Sequence, residues 1–386
     1  MKRALTLSSA LLLCSALAAP LGATELRATG DLGVIVERAT GSVLIIDQSE
    51  HAAIGRIEGL GDLSHASLVF SPDERFAYVF GRDGGLSKID ILSQKIVKRV
   101  LQSGNSIGGA ISDDGKLIAV ANYEPGGIKI FDADTLDLVA DIPAEGKALG
   151  LEDAPGRKFV FSVWDTGETR IVDMSGVEPR ITTFAHVGEQ PYDALVTDDG
   201  RTYIAGLFGE DGLAAIDLWD ETPEPRRILP HYGRGQEEMP VYKMPHLEGW
   251  AKAGDQIVLP AVHHHEVLWI DSRSLEETGR TETYGQPVFA MARPGGRQVW
   301  VNFAHPLNDT VQVIDSMTHQ IVGEMKPGPA VLHMEFTSRG TEAWVSVRDE
   351  NKVVIYDTTT LQPIGEIEAE SPSGIFFTAR AHRLGL

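Results

Sequence analysis

The sequence predicts an all-β fold, an eight-bladed β-propeller closed by its own C-terminal strand, and three observations lead there. An apolar run ending in Asp recurs at Asp47, Asp90, Asp132, Asp173, Asp217, Asp271, Asp315 and Asp357. The gaps of 43, 42, 41, 44, 54, 44 and 42 residues match the repeat of a four-stranded propeller blade. Turn-forming clusters precede most of these anchors at a regular distance, and no stretch carries a 3.6-residue apolar period. The 40 Gly and 20 Pro in 386 residues fit a chain of many tight turns.

The stretch Gly59–Asp90 contains each part of the repeat. A small-residue lead-in ends at His65, an apolar run reaches Phe70, Ser71-Pro72-Asp73 turns the chain, and two further runs flank Gly81-Arg82-Asp83-Gly84-Gly85. Short apolar runs bounded by Gly, Pro and Asp are the signal of an antiparallel meander. Equivalent turns stand at Ser112-Asp113-Asp114-Gly115, Ala154-Pro155-Gly156, Asp198-Asp199-Gly200, Arg293-Pro294-Gly295-Gly296 and Ser338-Arg339-Gly340. Pro presets one turn dihedral, Gly supplies positive φ and Asp bonds its own backbone. Segments beside them, such as Phe76–Phe80 and Trp300–Phe303, are rich in β-branched and aromatic residues.

The two ends complete each other. Gly33–Val36 and Ser42–Asp47 lack an innermost strand, whereas Ser373–Arg380 has no blade of its own. Joining them closes the ring and leaves no open sheet edge. The one long gap, Asp217 to Asp271, holds about ten extra polar and Pro-rich residues around Pro223–Lys243, the size of a functional surface loop.

Residues 1–23 read as a secretory signal peptide: two basic residues, an apolar stretch, then small residues suited to cleavage after Ala18 or Ala23. Residues 24–386 then form the propeller, exported to the periplasm. The only cysteine, Cys14, lies in the leader, and a lipoprotein reading of it needs a small residue where Leu13 stands. The mature chain therefore has no thiolate ligand or disulfide, and without Cys-x-x-Cys-His it has no covalent c-type haem. A net charge of −21, without basic clusters, argues against nucleic acid and anionic lipid as partners. No membrane span is expected.

Phase relative to the Asp anchors reports position. In a propeller the innermost strand of each blade starts at one mouth of the central channel, and the loop between the second and third strands opens on that same face. His65 and His246 each stand 25 residues before their anchors, and His333 stands 24 before its own. Arg82 and His263 stand eight before, and Arg348 nine. These residues are expected to ring one mouth, with the long loop (His231, Tyr232, Arg234, Tyr242) folded over it. The triplet His263-His264-His265 is open to two readings, metal binding by alternation or a polar strand end. Arg82 in a Gly-rich turn can equally be a solvated turn residue. Taken together, Arg forks suit carboxylates and neutral imidazole suits iron or proton transfer, so the ring reads as a pocket for an anionic, metal-bearing ligand.

The runs LSHASLVFSPDERFAYVFGRDGGLSKIDI, PHLEGWAKAGDQIVLPAVHHHEVLWIDS and SPSGIFFTARAH resemble the haem d1 domain of cytochrome cd1 nitrite reductase, and most closely the NirF-type haem d1 biosynthesis branch of that family. The resemblance spans the mature chain. It implies that His65 stands where the proximal iron ligand stands, that Arg82 faces the tetrapyrrole carboxylates, and that His246 matches one of two distal histidines. The second distal histidine would follow Pro287, where this chain has Val288. That loss, with the absence of a c-type domain, favours the biosynthetic branch over the reductase.

The expected function is therefore binding of haem d1 or a late precursor in the periplasm. The resemblance implies oxidative tailoring of its side chains, with His246 as a proton-transfer residue. Expected partners are cytochrome cd1 nitrite reductase and a small c-type cytochrome. Two other classes stay open at this stage: a noncatalytic haem d1 carrier, and a generic propeller lactonase or repeat protein.

Overall fold

The computed structural model describes residues 28–231, 249–261 and 264–383. Eight four-stranded antiparallel sheets follow one another around a ring. The innermost strands are Ser67–Phe70, Asn105–Ile111, Ala148–Ala154, Pro191–Val196, Ala251–Ala253, Pro287–Ala292, Val331–Phe336 and Pro372–Phe377, which open blades 1 to 8 in that order. Blade 8 joins the ends: Leu32–Glu37 pairs with Pro372–Phe377, and Ser42–Asp47 and Ala52–Ile57 complete the sheet. The closing strand stops at Phe377 rather than continuing to Arg380, because Thr378–His382 turns into a 3-10 helix whose Thr378 hydroxyl donates to the carbonyls of Thr29 and Leu32.

The recurring Asp has a common structural cause. Each ends the third strand of its blade and accepts backbone N–H groups from the turn that follows, as Asp132 does from Asp134 (3.0 Å) and Thr135 (2.8 Å). Asp271 accepts from Arg273 and Ser274, and Asp357 from Thr359 and Thr360. A short carboxylate thus supplies the acceptor that the tight turn lacks. In blade 1 the residue before the apolar one is Lys88, which is buried because its Nζ donates to the carbonyls of Ala133 (3.0 Å) and Asp134 (3.2 Å) in the next blade.

The core lies between blades. Trp300 and Trp344 are fully buried on second strands and meet the neighbouring blade edge-on, Trp300 against Phe336 (5.5 Å) and Trp344 against Phe377 (5.4 Å). Burying a large aromatic side chain contributes roughly 2–3 kcal/mol, so each blade's stability depends on its neighbour. One expectation needs correcting: the polar segment after Asp217 is not loop throughout. Arg226–Ile228 forms the outer strand of blade 4, pairing with Leu213–Ala215. Tyr232, Arg234, Tyr242 and His246 lie outside the described residues, as does His263 and the leader.

Candidate functional site

The innermost strands all start at the same end of the channel, so the loops entering them and the second-to-third-strand loops converge there. His65 lies two residues before the first strand of blade 1 and is exposed at this mouth. Arg82 occupies the loop between Phe76–Phe80 and Gly85–Asp90. That loop is held by its backbone and its neighbours. Asp83 pairs with Arg99 and accepts the N–H of Gly85, the Arg82 N–H donates to the Asp62 carbonyl (2.7 Å), and Ser106 Oγ donates to the Gly81 carbonyl (2.6 Å). Gly84, at φ +79°, lies so close to the Ser103 carbonyl that a Cβ would collide with it. The guanidinium of Arg82 makes no hydrogen bond or ion pair among the described residues, which leaves it available at the mouth.

Two further arginines join it from consecutive blades. Arg348 begins a short 3-10 turn after the second strand of blade 7 and, among the described residues, pairs with its neighbour Asp349 alone (2.7 Å). Arg38 lies in the equivalent loop of blade 8, half-buried and without an ion pair among the described residues. Burial, and then the charges of Arg348 and Arg82, hold the Arg38 pKa below its ordinary value, with Asp62 opposing them. Asp62 is kept below the usual carboxylate range by the backbone N–H and hydroxyl of Ser64, and further by Arg82 and His65. Asp83 and Asp349 are paired with Arg99 and Arg348, whereas Arg38 and Arg82 have no ion pair among the described residues, so this arc of the mouth carries cationic groups on a chain of net charge −21.

The neighbouring arc is aromatic. Tyr123, Trp164 and Phe208 occupy the corresponding positions of blades 2, 3 and 4, and Tyr192 lies on the innermost strand of blade 4. Trp164 meets Tyr192 edge-on at 5.7 Å and lies tilted against Phe208 at 5.3 Å. Tyr123 and Tyr192 are hydrogen-bonded, and burial first of all raises both phenol pKa values while Arg82 opposes the rise. Both hydroxyls therefore stay protonated at neutral pH. Behind them the buried Asp193 accepts the Gly249 N–H (3.3 Å), which ties blade 4 to the entry of blade 5.

His333 is placed differently from the other ring residues. It is the third residue of Val331–Phe336, inside the channel wall, packed against Phe289 (4.8 Å) and Phe376 (5.4 Å), and its Nδ1 accepts the Ile375 N–H (3.3 Å). His264 and His265 follow the undescribed His263 in the loop before Glu266–Asp271. Among the described residues no group of three or more His, Cys, Asp or Glu is arranged to hold a metal ion by itself. Sequence reasoning missed Arg38, Asp62 and the aromatic arc. The signal was present, because Arg38, Tyr123, Trp164 and Phe208 each stand nine residues before an Asp anchor, as Arg348 does.

The mouth thus offers an exposed imidazole, a cationic arc and an aromatic arc. A planar, apolar macrocycle bearing carboxylates and a metal fits that donor set. The family model of the cytochrome D1 heme domain matches residues 27–381. The chain is 60% identical over 370 residues to the protein NirF of Stutzerimonas stutzeri, covering 94% of this chain and 95% of that one. It is 58% identical to the protein NirF of Pseudomonas aeruginosa, covering 94% of each. Among solved structures it is similar to the dihydro-heme d1 dehydrogenase NirN in complex with DHE, with a TM-score of 0.80 and 26% identity over 92% of this chain and 77% of that one.

Proposed function

From the premise that this chain belongs to the cytochrome D1 heme domain family and, within it, to the NirF proteins, we propose that it binds haem d1 or a late iron-tetrapyrrole precursor at the mouth ringed by His65, Arg38, Arg82 and Arg348. The observation that carries this reading is the division of the mouth into a cationic and an aromatic arc. The arginines come from three consecutive blades and would take the carboxylates, and the cluster of Trp164, Tyr192 and Phe208 would border the macrocycle. A similar chain, the NirN protein, was solved in complex with DHE, which supports a ligand of this class. Family membership leaves the generic lactonase or repeat-protein reading without support.

In this proposal His65 would hold the iron, since it is exposed at the rim and the mature chain has no cysteine to serve instead. The bound iron tetrapyrrole supplies the redox chemistry. The arginines orient the carboxylates, and the aromatic arc excludes water from the apolar face. An oxidative change of a side chain would release two electrons and two protons. His246, a match from the resemblance alone, would accept the protons one at a time and pass each to solvent, and a small c-type cytochrome would take the electrons in two successive one-electron transfers. Cytochrome cd1 nitrite reductase is the proposed recipient of the finished cofactor, in the periplasm. Anaerobic titration of the purified chain with haem d1 and with its late precursors, followed by absorption and by mass of the bound species, tests both parts. Saturable binding with a mass change supports a catalytic role, binding without one makes the protein a carrier, and no binding removes the proposal.

A further inference from the structure

The C-terminal ends of the innermost strands meet at the other end of the channel, where a cavity of about 800 Å³ spans five consecutive blades from the turn at Asp198 to the 3-10 helix Thr378–His382. Among the described residues its basic lining is Lys252, Arg293, Arg380, His382 and Arg383, and its only acidic member is Asp198. That composition runs against the chain's charge of −21. Local pairing accounts for part of it. Lys252 bonds Asp198 (2.7 Å), whose carboxylate is largely exposed; Arg380 bonds the buried Glu335, and His382 bonds Glu74 (2.8 Å). Arg293 feels the charge of Asp357 but forms no direct pair with it. Its Nε donates to the Gly340 carbonyl (2.6 Å), and its guanidinium makes no ion pair among the described residues.

The backbone fixes this charge in place. Arg293 opens the turn Arg293-Pro294-Gly295-Gly296, closed by the Gly296 N–H on the Arg293 carbonyl (2.8 Å). In the same lining, the Arg380 side chain is almost fully buried, its guanidinium over the Phe376 ring at 5.2 Å from the centroid. A concave site of this size suits a small ligand, and Arg forks recognise carboxylate and phosphate oxygens. At ~3.3 Å per residue, a six-residue innermost strand separates this cavity from the first mouth by roughly 20 Å, so one tetrapyrrole cannot occupy both.

We propose that this far mouth is a second binding site, for a small, multiply charged oxyanion bearing carboxylate or phosphate groups. The site is independent of the tetrapyrrole reading. The test is calorimetric titration of the full chain with citrate and, separately, inorganic pyrophosphate, at low and at high salt. One molecule should bind per chain, more weakly at high salt, and the preferred probe identifies the anion class. Arg293→Gln should weaken binding about tenfold or more, and Lys252→Gln should weaken it less, because Asp198 already shares that charge. Arg82→Ala, at the other mouth, should leave it unchanged. If Arg293→Gln lowers the melting temperature, Lys252→Gln decides alone. Absence of binding at millimolar probe, or binding lost in Arg82→Ala and kept in both far-mouth variants, overturns the proposal.

Discussion

The backbone N–H of Arg82 donates to the carbonyl oxygen of Asp62 at 2.7 Å, joining the loop that leads to His65 to the loop that carries the proposed carboxylate clamp. The clamp's geometry therefore rests on main chain and on Asp83–Arg99, not on the Arg82 side chain. Arg82→Ala should weaken tetrapyrrole binding by roughly ten- to a hundredfold, the loss of one charge-assisted bond, without lowering the melting temperature. Arg82→Lys keeps the charge without the fork and should fall between. Unchanged affinity in Arg82→Ala would reduce Arg82 to a turn residue.

Arg38 should behave as a residue kept for binding at a cost in stability. It is half-buried, its pKa is lowered first by burial, and it has no ion pair among the described residues. Arg38→Met preserves much of the packing and removes the desolvated charge. Thermal unfolding of the ligand-free protein should shift upward, while tetrapyrrole affinity falls about tenfold. A downward shift would show that Arg38 holds the loop together.

The anchor aspartates should be local stability elements. In Asp132→Ala the N–H groups of Asp134 and Thr135 lose their acceptor, which should cost about 1–2 kcal/mol by urea unfolding. Asp132→Asn keeps an acceptor oxygen and should cost less. Equal losses in the two variants would assign the effect to charge instead.

The same carboxylates contribute to the acid sensitivity of the fold. Backbone N–H donation from Thr135, Ser274 and Thr360 is the largest cause that holds Asp132, Asp271 and Asp357 below the ordinary 3.8. Because the folded values are depressed, the unfolded chain binds more protons in the window between them and 3.8, so stability rises with pH there. The contribution is complete above 3.8 and is lost as pH falls below it through the folded values. Denaturant midpoints measured from pH 6 down to pH 2 should stay level with respect to these groups until about 4 and then drop. The drop should be smaller in Asp132→Asn.

The blades were legible because one physical need, an acceptor for the turn after the third strand, puts an Asp at the same place in every repeat. The closing blade was legible for the complementary reason that neither end held a complete sheet. The mouth was legible only in part. Counting from the anchors places His65, Arg82 and Arg348 on one face, but Arg38 sits in the blade whose innermost strand comes from the other end of the chain. Tyr123, Trp164 and Phe208 pass as ordinary strand-forming residues. His333 is one residue off the phase of His65, and the strand Val331–Phe336 carries a bulge between Val331 and Met334, so it enters the wall of the channel instead of its rim. The outer strand Arg226–Ile228 was hidden by the polar, Pro-rich composition around it.

The most direct test of the central claim is the absorption spectrum of the bound tetrapyrrole in His65→Ala. An axial ligand sets the electronic state of the iron, whereas a rim contact changes affinity alone. The spectrum should change in His65→Ala and be partly restored by added imidazole, while His246→Ala should keep the parental spectrum and slow any turnover. A parental spectrum in His65→Ala, or a change confined to His246→Ala, would contradict the assignment of His65 as the iron ligand.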